Sequence, residues 1–188
     1  MYYIISSKRK DSILYLFPHT SAGYFLIMIK PKGIIVHSMA EFLRHEGKKV
    51  TAHEFLKILK LSVHGFIHPN GEYERMIKTP GRAAHAGKSI HENLSGLNSH
   101  FLGFELLVPG EHDYGSFLKA IDTPGTYTEE QFEQAVQVCK YWMKQYDIPV
   151  KNVVRHSDVS GDHVRGKGKG KKDPGSSFEW EKFVEALS

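Results

Sequence analysis

Cysteine is almost missing from this sequence. Cys139 is the only one in 188 residues, so no intramolecular disulfide can form and the fold cannot depend on an oxidising compartment. Its setting, Gln134-Ala135-Val136-Gln137-Val138-Cys139, marks it as a small core residue of a helix. Long apolar runs are also missing. Residues 24–29 form an apolar stretch far short of the roughly 20 residues that span a bilayer, which argues against stable membrane insertion. The start, Met1 to Lys10, places its charges after a short apolar segment. That is the reverse of a secretory leader, and the expectation is a chain made in the cytoplasm. No internal repeat and no linker divides the sequence. His-Glu occurs at His53-Glu54 and His91-Glu92, but neither pair has the second histidine that the helical zinc-peptidase motif requires.

What is present describes one compact domain over residues 1–188. Hydrophobic residues make up 40% and charged residues 24%, enough for a real core and too little charge for a disordered chain. The net charge is +4, which favours anionic partners. Much of the lysine excess sits in one run, Gly166-Lys167-Gly168-Lys169-Gly170-Lys171-Lys172, and the other basic residues are scattered. This is not the pattern of a nucleic-acid surface, and a monomer is expected. Twelve histidines raise the question of metal binding.

The element pattern is α/β: a central mixed β-sheet flanked by helices. Strands are expected at 2–6, 12–17, 24–29 and 33–37, punctuated by Pro18-His19 and Pro31-Lys32-Gly33. A helix is expected near 39–46. A second opens at Thr51, with Glu54 completing a capping box. Val63 to Ile77 reads as a hairpin around Pro69-Asn70-Gly71. A loop rich in Gly, Ala and His covers 79–98. Residues 101–108 are apolar on both faces, as a central strand is. The clearest helix spans 128–146, with Thr128 and Gln131 as its capping box and Phe132, Ala135, Val136, Cys139 and Met143 as its buried stripe. A strand over 150–155, a Gly/Lys loop over 161–170 that is flexible by composition, and a helix over 178–187 complete the chain.

Three residues stand at expected element ends, where functional side chains concentrate: His37, His156 and Asp173. Two imidazoles and a carboxylate supply three ligands for zinc and leave a fourth position open, the pattern of a catalytic metal. Spacing alone does not bring them together, and an Asp before Pro-Gly is also a common turn former. Asp158, Asp162 and His163 carry the same chemistry between the last two.

The motifs carry a resemblance. They are Gly33-Ile34-Ile35-Val36-His37-Ser38; Val63-His64-Gly65-Phe66-Ile67-His68-Pro69-Asn70-Gly71; Ala84-His85-Ala86-Gly87-Lys88-Ser89; Leu97-Asn98 with Gly103-Phe104-Glu105-Leu106; and Arg155-His156-Ser157-Asp158-Val159 leading to Lys171-Lys172-Asp173-Pro174-Gly175 and Phe178-Glu179-Trp180. In this order they resemble the zinc N-acetylmuramoyl-L-alanine amidases of type 2, a family that also includes phage lysozyme-amidases and peptidoglycan recognition proteins. The resemblance covers roughly residues 30 to 185. It implies zinc held by His37, His156 and Asp173, Glu105 as the catalytic carboxylate and Lys171 as the catalytic lysine. It places His85 and Asn98 in the substrate groove. Lys169 and Lys172 are chemical alternatives to Lys171. Some phage relatives carry a tyrosine where Val63 stands, so Glu105 carries more of the chemistry here. His64 reads as a structural histidine and His68 as a solvated one.

The resemblance implies hydrolysis of the bond between N-acetylmuramic acid and L-alanine in bacterial peptidoglycan. With no separate wall-binding domain, a phage-type endolysin is expected, bacteriolytic once released onto the wall from the cytoplasm of the producing cell. A cytosolic amidase that recycles muropeptides, and a recognition module that binds peptidoglycan without cutting it, are the alternatives.

Overall fold

The computed structural model describes the backbone of residues 4–6 and 12–15 and the chain over 26–188. Residues 2, 3, 16, 17, 24 and 25 of the expected strands, and the Pro18-His19 turn, lie outside the described residues. β1 (Ile4–Ser6), β2 (Ser12–Tyr15) and β3 (Leu26–Ile29) form an antiparallel three-stranded sheet. β3 is tied to the body of the chain by Ile29 N–H to Pro80 O at 2.8 Å and Arg82 N–H to Ile27 O at 2.6 Å.

The main sheet begins with β4 (Gly33–His45). The helix expected near 39–46 does not form: β4 runs straight through it. Residues Met39 and Ala40 pair with Leu107 and Val108 of the neighbouring strand, and 42–45 pair antiparallel with β5 (Lys48–Thr51) across a tight turn at Glu46-Gly47. Strand pairing on both edges outweighs a weak local helix preference. α1 (Ala52–Ile58) then opens at the Thr51–Glu54 capping box. β6 (Gly65–Ile67) and β7 (Tyr73–Arg75) are the expected hairpin.

The segment read as a plain loop over 79–98 contains a small hairpin, β8 (Ile90–His91) with β9 (Leu94–Ser95), and a 3-10 turn over Leu97–Ser99. β10 (Phe101–His112) is the central strand and runs four residues beyond its expected end, past an irregularity between Val108 and Glu111. α2 (Tyr114–Ile121) was not expected; Asp113 and Ser116 cap it reciprocally. α3 (Glu129–Tyr146) has the Thr128–Gln131 capping box, and its buried stripe includes Val138 and Trp142 as well as Phe132, Ala135 and Cys139.

A 3-10 turn replaces the first half of the strand expected over 150–155, leaving β11 (Val153–Arg155). Two short helices follow, α4 (His156–Ser160) and α5 (Asp162–Arg165), and α6 (Trp180–Leu187) closes the chain.

The strand order is β11-β4-β10-β6-β7, the first four parallel and β7 antiparallel, with β5 on β4. Strand alternation sorts the side chains into two faces. Ile34, Val36, Leu102, Phe104 and Leu106 pack against Ala135, Val138, Cys139 and Trp142 of α3 and Phe183 and Leu187 of α6. The opposite face carries Ile35, His37, Phe101, Gly103, Glu105 and Leu107, and smaller clusters around Val154, Val159 and Leu97, and around Ala52, Leu56 and Phe66, cover its flanks. One face is therefore a sealed apolar core, and the other leaves a space above His37 and Glu105. Among the described residues no helix is long and apolar enough to cross a membrane.

Candidate functional site

His37 does not end its strand as expected; it sits inside β4, where β10 sets Glu105 directly opposite it in register. Their side chains share the face away from α3. His156 follows the last residue of β11, the neighbour of β4 on its other side, and opens α4. Asp173 comes from the segment after the Gly/Lys loop, anchored by Ser157 N–H to Asp173 O at 3.0 Å. Three distant stretches of chain thus meet at His37 within β4.

The meeting is close. His156 Nδ1 lies 2.9 Å and His37 Nδ1 3.5 Å from Asp173 Oδ2, and the ligand atoms of the three residues all lie within 4.8 Å of one another. All three are buried. A four-coordinate zinc at about 2.0–2.2 Å from nitrogen and oxygen ligands sets its donor atoms roughly 3.3–3.5 Å apart, so this set fits such an ion. Asp158, Asp162 and His163 do not join it. Asp158 pairs with Arg155, Asp162 accepts from Gly168 and Gly170 N–H, and His163 is exposed.

The hydrogen bonds around the two rings aim them. His85 Nε2–H donates to Phe101 O at 3.1 Å, which leaves His85 Nδ1 as an acceptor for His37 Nε2–H at 2.8 Å. His37 Nδ1 then carries the lone pair and faces Asp173 Oδ2. His156 Nε2–H points to Ala86 O at 3.4 Å and leaves its own Nδ1 free in the same way. Outer partners of this kind fix tautomer and ring orientation in metal sites. Gly103, between the strands' reacting residues, makes room for the pair: a Cβ there would come within 2.5 Å of His85 Nδ1 and 3.1 Å of His37 Nε2.

His85 was expected in the substrate groove. It lines the cavity, but both of its ring nitrogens are engaged with protein. Asn98, expected beside it, spends its Oδ1 on His85 N–H and Ala86 N–H at 2.9 and 2.7 Å, holding the loop that carries His85. His64 is structural as expected, bonded to Gly103 N–H and Gly81 O. His68 is not merely solvated: it shares the Glu74 carboxylate with His53. Val63 is fully buried in the cluster with Leu56 and Phe66.

Charge follows burial. Burial lowers His37 to about 4, helped by His156, so the ring is neutral and able to ligate at pH 7. Burial alone would raise Asp173, but His156 and His37 hold it well below the usual carboxylate range. Burial, with Asp173 adding repulsion, pushes Glu105 up to about 8 against the opposing pull of Lys171. Glu105 is 8% exposed, and its Oε2 has no hydrogen-bond partner among the described residues. A carboxyl group poised near neutrality and lacking a protein partner is a proton carrier in waiting.

Glu105, Lys171 and Lys172 line one cavity of about 420 Å³ with the His/His/Asp group. Its apolar lining came into view only with the structure: Met39 and Leu43 of β4, Phe55 of α1, Leu61, and Phe117 and Leu118 of α2. Four of these six residues, Met39, Leu43, Phe117 and Leu118, belong to elements that sequence patterning misassigned or missed.

Comparison with known proteins agrees with this layout. Residues 28–176 match the N-acetylmuramoyl-L-alanine amidase family. The chain is 29% identical over 130 residues to the 1,6-anhydro-N-acetylmuramyl-L-alanine amidase AmpD of Enterobacter cloacae, covering 69% of this chain and 59% of that protein. It spans less than two thirds of the length of the curated relatives it matches. Among solved structures it shares its fold with AmpDh3 of Pseudomonas aeruginosa in complex with an anhydromuramic pentapeptide (TM-score 0.62, 23% identity, 97% of this chain and 66% of that one). It shares it also with the endolysin amidase LysCS of Clostridium intestinale (TM-score 0.57, 20% identity, 84% of each chain).

Proposed function

The chain belongs to the N-acetylmuramoyl-L-alanine amidase family, and we propose that it is a zinc-dependent hydrolase that cuts the amide between N-acetylmuramic acid and L-alanine. The observation that carries this reading is the convergence of His37, His156 and Asp173 beside a buried, unpartnered Glu105.

An amide carbonyl is a weak electrophile and an amine a poor leaving group. Bound zinc supplies a Lewis acid at which water is acidified from about 15.7 toward 7 and a carbonyl is polarised. The protein residues do the rest. Glu105, close to neutrality by virtue of its burial, takes the proton of the attacking water and returns it to the departing L-alanine nitrogen. Lys171 faces the same space as a cation and stabilises negative charge that develops on the carbonyl oxygen. His85 and Asn98 hold the site in shape rather than gripping substrate.

For the physiological substrate, the reading is a soluble muropeptide with an anhydro sugar, as in cytosolic wall recycling. The names of the curated relatives support it. The lysine run that reaches the cavity at Lys171 and Lys172 suits a small anionic substrate as well as an anionic wall. The endolysin role stands second, on the shared fold with LysCS.

The test is mass spectrometry after incubating zinc-loaded protein with soluble anhydro-muropeptides and, separately, with intact sacculi, each beside His156→Ala. Free stem peptides with an exposed L-alanine amine, absent in the variant, establish the amidase. Faster turnover of the soluble substrate selects recycling, and faster turnover of sacculi selects the endolysin. Binding to both with release from neither overturns catalysis in favour of a recognition module.

A further inference from the structure

Four lysines, Lys167, Lys169, Lys171 and Lys172, fall within six residues, and all are exposed. By composition this loop is a flexible solvated insertion. The structure shows it held at several points. Asp162 Oδ2 accepts from Gly168 N–H at 3.0 Å and its Oδ1 from Gly170 N–H at 2.7 Å. Arg165 Nε–H donates to Lys169 O at 3.0 Å, Lys169 N–H to Gly166 O at 3.0 Å, and Lys171 N–H to Ser160 O at 2.9 Å. Gly170 is buried so tightly that a Cβ would lie 2.1 Å from Asp162 N. The backbone is pinned inward while alternate residues project.

Held this way, the ammonium groups repel one another, yet none of the four makes an ion pair among the described residues. The row also begins inside the catalytic cavity, since Lys171 and Lys172 line it. Lys169 and Lys167 follow within at most about 7 and 14 Å of Lys171 by chain length. The cavity is also lined by apolar Leu43, Phe55, Leu61 and Phe117 and by Asp113, while Arg44 is paired with Glu111 at 2.6 Å. Lys171 and Lys172 are therefore the unpaired cations of a lining that is otherwise largely apolar.

We propose that loop 166–172 is a preorganised cationic arm that binds the free carboxylates of the substrate's peptide, so that the peptide leaves the cavity along the lysines. This rests on the amidase reading and adds to it the direction of the substrate and a preference for unamidated peptides. Flexible point charges suit carboxylates spaced along a peptide better than one bidentate guanidinium would.

The test measures binding, so it does not depend on turnover. The probes are the tripeptide L-Ala-D-γ-Glu-L-Lys with free carboxylates and its fully amidated counterpart, titrated calorimetrically into zinc-loaded protein and into the double variant Lys167→Gln/Lys169→Gln. Neither lysine lines the cavity, and an unchanged thermal midpoint checks the fold. The expected result is that the free acid binds the parent more tightly than the amide does, and that the variant loses about 3- to 10-fold for the acid alone, with a shallower salt dependence. Equal affinity of the parent for both probes, or an equal loss for both in the variant, overturns the arm. So does a variant that keeps its peptide affinity but loses affinity for polyphosphate, which would assign the lysines to an anionic polymer instead. Absence of hydrolysis with this binding pattern intact would count against the amidase reading and leave the arm standing.

Discussion

Glu105 and His37 face one another as register partners on the parallel strands β10 and β4. One is a carboxyl group pushed up to about 8 and the other an imidazole lowered to about 4, both chiefly by burial. The sheet thus sets a candidate proton carrier beside a candidate metal ligand with no loop between them to move either one.

Glu105→Gln keeps the shape and removes the proton transfer. We expect turnover to fall by about 10²- to 10⁴-fold with zinc content unchanged. The same variant should be more stable. Because the folded pKa is raised above the ordinary 4.5, burying Glu105 costs nothing extra below pH 4.5, costs progressively more up to about 8, and stays level above. Thermal unfolding of chelator-treated parent and variant should therefore diverge between those limits, by on the order of a few kcal/mol at pH 8. Parallel curves would show that the carboxyl is not desolvated.

Removing His156 takes one of three donors away. His156→Ala should lose stoichiometric zinc by elemental analysis, and added zinc should raise the thermal midpoint of the parent but not of the variant. Zinc-dependent stabilisation of the variant would place the metal elsewhere.

His85 acts through His37. His85→Ala leaves His37 Nε2–H without its acceptor, and zinc affinity should fall about 10- to 100-fold. Gly103→Ala should do the same by forcing the two rings apart. Competition with a fluorescent chelator reads both, and full zinc affinity in either variant would return His85 to the substrate groove.

His64 gives a pH effect of the opposite sign. Its folded pKa is lowered to about 4 by burial, against the pull of its bonds to Gly81 and Gly103. The stability it contributes is complete above about 6.5 and is lost as pH falls toward 4. His64→Gln should flatten the fall in thermal midpoint over that window relative to the parent. An unchanged slope would mean that another group titrates there.

Gln131 ties β6 to β10. Its Nε2 donates to Ile67 O on β6 and Leu107 O on β10, and its backbone completes the α3 cap. Gln131→Ala strands two buried carbonyls and should cost about 2–4 kcal/mol in denaturant unfolding, with residual folded protein still binding zinc.

Much of this was legible from residues. The capping boxes at Thr51–Glu54 and Thr128–Gln131 marked two helices because reciprocal side-chain bonds are local. The apolar run over 101–108 marked the central strand because it is buried on both faces. Residues 39–46 were misread because their helix preference is a local property and the pairing that overrides it comes from β10 and β5. α2 was hidden because Gly115 in its first turn weakens the helical signal that Asp113 and Ser116 restore. His85 was found, but its task was not, since only the structure brings its ring against His37 at a sequence separation of 48.

The sequence by itself determined which chemistry was available: two histidines and an aspartate for a metal, a glutamate within an apolar strand, and a lysine run after them. Those are properties of side chains and of local pattern. The tertiary structure alone decided which of the acidic residues near His156 meets the histidines, which way each imidazole points, and how acidic Glu105 is. It also decided that the lysine loop is pinned beside the cavity. Each of these depends on distances between residues far apart in the chain, and on the water that packing removes from around them, and neither quantity is written in the order of the residues.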